Sequence, residues 1–393
     1  MLKTLVCSVL LCVAAPSQQV TVPLIVEGNA PLVELEFPTV SGGVRKARVL
    51  VDTGGGALLL GSRLMADIGA TPSGPQQNEE GETFVPLRPM KVRLGGMDLD
   101  LTGVSVDGIP ASQWIGIRNA AEGMVPARLL RRYDVVFDYP GRQFTLAKAG
   151  TLKPRGVQVN APISSDDGFP RIELQIGGSA YGFLLDTGAS FTMISRTVLD
   201  RWANENPAWP RAVGAIGFAN MFGGGMENGA LMLRIPELKI GPLVVKEAAA
   251  VSRPEGTFEK WMSGMMTAPI IGSVAGNVLR DFRVVIDYKD GLVYFEQSGD
   301  SSDVDQVSIG LVLRGGPDGA LVVTGVSSNA AVDVQNSVRT GDKVIAVDGV
   351  RLSGKPLSAA AEALQGRSGS TKRLDLERNG KPVIVTVTVK GLL

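Results

Sequence analysis

Two short strings of the same type carry the chemistry this chain could do. Asp52-Thr53-Gly54 and Asp186-Thr187-Gly188 each follow an apolar run, Val49-Leu50-Val51 and Phe183-Leu184-Leu185. A single Asp-Thr-Gly suits an ordinary turn after a strand. Two copies, each on a matching strand and each with a matching downstream block, point to a working pair. Two carboxylates held about 3 Å apart cannot both ionise, so their titrations split and one proton is shared. The ionised member takes a proton from a bound water, and the protonated member polarises a carbonyl. Gly54 and Gly188 let backbone amides approach the carboxylates, and the Thr53 and Thr187 hydroxyls can bond across to the opposite copy.

This chemistry requires no histidine, thiol or metal. The 393-residue chain contains no histidine, which excludes Ser-His-Asp and Cys-His catalysis and every His-ligated metal site. Both cysteines, Cys7 and Cys12, lie in the first twelve residues. No cofactor and no metal are expected. Lys and Arg together number 39, as do Asp and Glu, so the chain has no global field for nucleic acid or anionic membrane.

The elements that must position the two aspartates repeat as well. Leu129–Tyr139 matches Val278–Tyr288, and both blocks turn into closing strands, Gln143–Leu146 and Leu292–Phe295. Ser62 and Ser195 stand where N-caps belong, ahead of helical segments 63–68 and 196–203. Strand pairs 91–94 with 99–106, and 231–240 with 243–251, lie between the blocks. With 49 glycines and 5% aromatic residues, the texture is one of turns and short strands. Two similar β-rich lobes are expected, 18–150 and 151–298.

Lys3 precedes an apolar run from Leu5 to Ala15, the pattern of a secretory signal, here residues 1–17. The remainder has no run long enough to span a membrane and is expected to be exported, periplasmic or secreted, as a monomer. Residues 299–303 read as a polar linker. The tail, 304–393, changes texture: strands at 308–314 and 320–326, a helix at 357–364, and a closing hairpin through Asn379-Gly380.

The paired Asp-Thr-Gly strings resemble the active-site motifs of pepsin-like and retropepsin-like aspartic proteases. Pro269-Ile270-Ile271-Gly272 resembles the hydrophobic-hydrophobic-Gly step that crosses beneath the active aspartate in that family. The resemblance implies a mainly β fold, two retropepsin-like barrel lobes enclosing a pepsin-like cleft. Asp52 and Asp186 are then the catalytic pair, supported by Thr53, Gly54, Thr187 and Gly188. Phe222-Gly223-Gly224-Gly225-Met226 becomes the flap candidate over the cleft. In the first lobe the step is expected at Met124-Val125, where Pro126 stands in place of glycine. Its flap region, Gln76–Phe84, is polar and lacks the flap tyrosine of pepsins.

The tail resembles a PDZ domain of the kind fused to bacterial envelope proteases, on Ser308-Ile309-Gly310-Leu311 and Gly341-Asp342-Lys343-Val344-Ile345-Ala346-Val347-Asp348-Gly349. That resemblance implies that the Ile309, Gly310 and Leu311 amides capture a C-terminal carboxylate, with a groove between 311–314 and 357–364. The function implied is an endopeptidase acting on peptides or unfolded proteins, with C-terminal peptides held at the PDZ groove. A proteolytically silent envelope adaptor is the alternative, favoured by Gly55, Pro126 and the weak first flap.

Overall fold

The structure is a computed structural model of the chain and describes residues 19–79, 82–110, 120–222, 225–298, 306–316 and 319–393. The signal segment 1–17 and the linker 299–303 lie outside the described residues. The protein is mainly β, with two lobes and a smaller C-terminal unit.

The lobes share strands. The duplicated blocks form two hairpins, Tyr133–Asp138 with Gln143–Lys148 and Phe282–Asp287 with Leu292–Gln297. These hairpins meet in one antiparallel sheet of six strands, completed by Gln19–Pro23 and Val157–Asn160. Across the centre Asp134 pairs with Asp287, Val136 with Val285 and Asp138 with Arg283. Because Asp138 and Asp287 are equivalent by sequence, this register is a two-fold arrangement about Val136 and Val285. Sequence duplication has thus become spatial symmetry, as in a dimer whose two subunits are one chain.

Each lobe then carries its own sheet. In the second, Arg171–Ile176 pairs with both Ser179–Leu185 and Leu231–Ile240, which closes the sheet on itself. In the first, the strand Val44–Asp52 lies between Ala30–Pro38 and Gly123–Pro126. The interior of Val44–Asp52 is buried on both faces at Val49, Leu50 and Val51, which is why it reads as an unbroken apolar run.

The crossing step is present in both lobes. Gly272–Val274 runs parallel to Ser179–Leu185, with Gly272 opposite Phe183, and Gly123–Pro126 runs parallel to Val44–Asp52, with Gly123 opposite Val49. Val49 and Phe183 are equivalent, so the partner of Gly272 is Gly123. The expectation that Pro126 replaces a required glycine is therefore wrong by three residues. Pro126 is the N-cap of the helix Ala127–Leu130, as Ala275 is of Gly276–Leu279. The glycines are needed because a Cβ would lie 2.2 Å from the Met193 carbonyl at Gly272 and 2.9 Å from the Leu59 carbonyl at Gly123.

The capping serines also behave differently from expectation. Gly61 caps the helix Ser62–Ile68, and Ser62 is its first residue. Ser195 does occupy the N-cap of Arg196–Glu205, but its hydroxyl donates to Glu259 instead of receiving a helix amide. In the C-terminal unit, a sheet begins at the edge strand Leu311–Gly315 and ends in the hairpin Thr371–Arg378 with Lys381–Thr388. The helices Val332–Ser337 and Leu357–Leu364 complete it.

Gly272→Ala is expected to cost about 3 kcal/mol, the upper end for an overpacked core. Pro126→Ala is expected to cost under ~1 kcal/mol, since no carbonyl constraint acts there. Urea unfolding of the two variants checks that Pro126 is not the counterpart of Gly272.

Candidate active site

Asp52 ends the strand Val44–Asp52, and Asp186 directly follows Ser179–Leu185. Their loops face one another and are tied by the two threonines. The Thr53 amide donates to Thr187 Oγ1 at 3.1 Å, and the Thr187 amide donates to Thr53 Oγ1 at 3.0 Å. Each hydroxyl in turn donates into the opposite strand, Thr187 to the Val51 carbonyl at 2.7 Å and Thr53 to that of Leu185. Both threonines are fully buried. Both amides and both hydroxyls are satisfied by the opposite lobe, so neither loop can move without stranding buried donors.

This lock leaves almost no space between the carboxyl groups and the opposing glycines. A Cβ on Gly188 would fall 2.2 Å from Asp52 Cγ, and one on Gly54 would fall 3.2 Å from Asp186 Oδ1. The Gly54 amide donates to Asp52 Oδ1 at 2.7 Å, and the Ala189 amide to Asp186 Oδ1 at 3.0 Å. The Asp186 carboxyl is pushed up to about 7, first by burial and then by the Asp52 charge. Opposing that rise are the Ala189 amide, the Ser273 hydroxyl and the Gly188 amide. A carboxyl held near neutrality by burial and a second acid is poised for proton transfer.

A family model described as aspartyl protease matches residues 172–273, and one described as PDZ domain matches 301–377. The chain therefore carries an aspartyl protease domain and a C-terminal PDZ domain. Similar solved structures include the aspartic proteinase from Irpex lacteus, at 13% identity and TM-score 0.45, covering 72% of this chain and 98% of that one. Another is the PDZ domain of a carboxy-terminal protease from Vibrio cholerae in complex with peptide, at 22% identity and TM-score 0.20, covering 22% of this chain and 94% of that one. A third is the photosystem II D1 C-terminal processing protease, at 21% identity and TM-score 0.22, covering 24% of this chain and 25% of that one. No curated protein sequence matches.

Three groups around the pair were not singled out by sequence. Ser273 follows the crossing glycine, and the matching residue of the first lobe is Met124. The signal that finds Ser273 is its place one residue past Gly272. Tyr139 and Tyr288 follow the duplicated Asp138 and Asp287, and among the described residues neither buried hydroxyl has a hydrogen-bond partner. Burial raises both phenols, and each also feels the aspartate of the other lobe, Tyr139 that of Asp186 and Tyr288 that of Asp52. Both stay protonated, so neither phenol adds a charge beside the pair.

Above the pair opens a cavity of 390 Å³, walled by Met193, Met221, Phe222, Met226, Trp261 and Met262. A larger hollow of 660 Å³ lies on the first lobe, around Pro86–Met90 and Leu99–Asp107, and includes neither aspartate. The flap candidate takes its place at the cavity. Phe222 and Met226 are about half exposed at its mouth, at 48% and 49%. Gly223 and Gly224 lie outside the described residues, and Gly225 begins a short helix, Gly225–Asn228, where a hairpin tip was expected. The segment is anchored by a buried ion pair, Arg253 Nη1 to Glu227 Oε2 at 2.9 Å, with the guanidinium 4.7 Å from the Phe222 ring centre. In the first lobe Gln77–Glu79 and Glu82–Pro86 form a hairpin from the polar region 76–84.

The carboxylate loop of the PDZ domain is engaged internally. The Ile309 amide donates to the Leu364 carbonyl at 3.2 Å and the Gly310 amide to Ser308 Oγ at 2.9 Å, while Leu311 pairs with Val326. All three residues are buried.

The raised Asp186 carboxyl has a consequence for stability. Between its ordinary value near 4 and its native value near 7, the folded state holds a proton the unfolded chain releases, so stability falls as pH rises through that window. Asp186→Asn is expected to stabilise the protein at pH 8 and leave it nearly unchanged at pH 4. Ser273→Ala is expected to raise the Asp186 carboxyl further and deepen the loss at pH 8. Urea melts at the two pH values decide both.

Proposed function

We propose that the chain is an aspartic endopeptidase that hydrolyses peptide bonds through a water activated between Asp52 and Asp186. The observation that carries this reading is the reciprocal threonine lock, which brings two acids of opposite lobes to one point. A peptide-holding adaptor has no need of both acids or of a carboxyl held near neutrality. Asp186, the buried member, holds the shared proton and donates to the scissile carbonyl. Asp52, more open and bonded by the Gly54 amide, takes a proton from water as it attacks. The tetrahedral intermediate then collapses as Asp52 passes that proton to the leaving amine.

The substrate class is peptides or unfolded proteins, admitted to the open cleft beneath Phe222 and Met226. The PDZ domain supports peptide binding, and C-terminal peptides are its ligand class in this reading. The signal pattern before residue 18 supports an exported enzyme, periplasmic or secreted. The features that favoured a silent adaptor lose weight. Gly123 supplies the glycine thought missing at Pro126, and a Cβ on Gly55 would stand 3.1 Å from Asp52 Oδ2, so glycine here keeps room beside the carboxylate.

Asp52→Asn and Asp186→Asn are each expected to lower cleavage of a denatured protein by at least ~10³, within the range of acid–base catalysis or its loss in a cooperating pair. Unchanged circular dichroism would show that the fold survives. Full activity in either single variant would refute the shared-proton mechanism. The pH–rate profile is expected to be a bell centred between about pH 5 and 7, reporting the pair rather than either residue. An optimum below about pH 4 would refute the neutral poise of Asp186.

A further inference from the structure

The face of the PDZ domain to which a peptide would add is covered by this chain's own second lobe. Leu311–Gly315 is the edge of the PDZ sheet, and the helix Leu357–Leu364 packs beside it. Against that helix lies the tight turn Gly217–Ala219 of the second lobe. Asn220 Nδ2 donates to the Leu313 carbonyl at 2.6 Å, using a main-chain acceptor on the edge strand. Phe218 and the Ser358 side chain of the helix both lie over Gly28 of the first lobe, where a Cβ would stand 3.3 Å and 3.2 Å from them. Val312 of the edge strand is buried in the apolar cluster of Ala215 and Ile216. Polar bonds extend the contact. The Ser328 amide donates to the Val213 carbonyl at 3.1 Å, and Ser358 Oγ donates to Glu27 Oε1 of the first lobe at 2.8 Å.

The covering segment continues straight into the cleft wall. Arg253 Nη2 donates to the Ala219 carbonyl at 3.3 Å, on the PDZ side of the segment. Its Nη1 pairs with Glu227, whose other oxygen accepts the Phe222 amide at 2.9 Å, on the cleft side. Arg253 and Glu227 are both almost wholly buried. One buried ion pair therefore ties the PDZ contact to the cavity wall, and uncoupling either end leaves a polar group of that pair without one of its hydrogen-bond partners.

We propose that the PDZ domain docks through its peptide groove onto residues 213–220, that this docking holds Phe222 and Met226 in the cleft wall, and that an apolar peptide with a free carboxylate competes with it. The activity consequences rest on the protease reading above; the binding consequences do not. Coupling of this kind is reciprocal, so whatever frees the groove tightens peptide binding and loosens the wall.

Two variants of the full chain test it. Cβ atoms at Gly325 and Asn228 stand 3.7 Å apart across the contact, within disulfide range. The probe is a fluorescein-labelled octapeptide ending in Val-Leu-Leu with a free carboxylate. Oxidised Asn228→Cys/Gly325→Cys is expected to bind it at least tenfold more weakly than the same protein reduced. The lobe variant Phe218→Ala/Asn220→Ala is expected to bind it at least tenfold more tightly than wild type. That variant is also expected to exchange amide hydrogens faster across 216–222 and to cleave a short peptide blocked at both ends at least threefold more slowly. Equal binding by the oxidised and reduced forms, or no gain in Phe218→Ala/Asn220→Ala, overturns the proposal, as does absence of probe binding in every form. Absence of cleavage in wild type overturns the protease reading alone, and binding and exchange still decide the docking.

Discussion

Four hydrogen bonds between Thr53, Thr187 and the strands that carry them make one site out of two lobes. Each bond is buried and each crosses the pseudo-two-fold, so the lobes cannot separate or slide without leaving unpaired donors in an apolar interior. The shared sheet answers the same constraint from below. Its central register, Val136 against Val285, fixes the axis about which the threonines must exchange bonds. The glycines follow from the same demand, because the distance the threonines impose leaves 2.2 Å where a Gly188 Cβ would stand.

Much of this was legible because symmetry writes itself twice. The apolar strand, the Asp-Thr-Gly loop and the block ending in Asp-Tyr recur, and each recurrence constrains the other. What failed was alignment where the two copies diverge in type. Ile270-Ile271-Gly272 has its counterpart in Ala121-Glu122-Gly123, and a search for two apolar residues settles on Met124-Val125 instead. Strand register shows the equivalence because it depends on backbone position, whereas the pattern search depended on side-chain type. The shared sheet was likewise hidden. The hairpins were visible, but no local pattern states that Tyr133–Asp138 pairs with Phe282–Asp287 across the chain.

The PDZ domain shows a second limit of local reading. Leu311, Val312 and Leu313 are apolar on both faces of one strand, where successive residues point to opposite sides in alternation, and the face of Leu311 and Leu313 belongs to the PDZ core. Nothing in the alternation says that Val312 enters the core of another domain. A short apolar stretch, Ala215 to Ala219, likewise reads as loop or core with equal ease. Only their meeting gives either meaning, and it turns a module suited to holding foreign peptides into one that first holds its own chain.

The symmetric frame carries asymmetric acids, and that asymmetry is what makes it a mechanism. Two identical carboxylates on a perfect axis would share their proton equally and define neither acid nor base. Here Asp186 is the more buried of the two, while Asp52 keeps more contact with the cleft. The residues after the crossing glycines sharpen the difference, a hydroxyl at Ser273 in one lobe and a thioether at Met124 in the other. Pepsins place a hydroxyl directly after Asp-Thr-Gly, where this chain has Gly55 and Ala189. Ser273, on the strand beneath Asp186, works against the rise of its carboxyl, although its buried hydroxyl has no hydrogen-bond partner among the described residues. A nearby hydroxyl dipole favours the charged form and works against burial, which favours the neutral one. Burial is the larger effect, so the Asp186 carboxyl stays raised, and the opposing donors keep it from rising further. The proton is thereby held loosely enough to be given up, which a general acid must be able to do on every turnover.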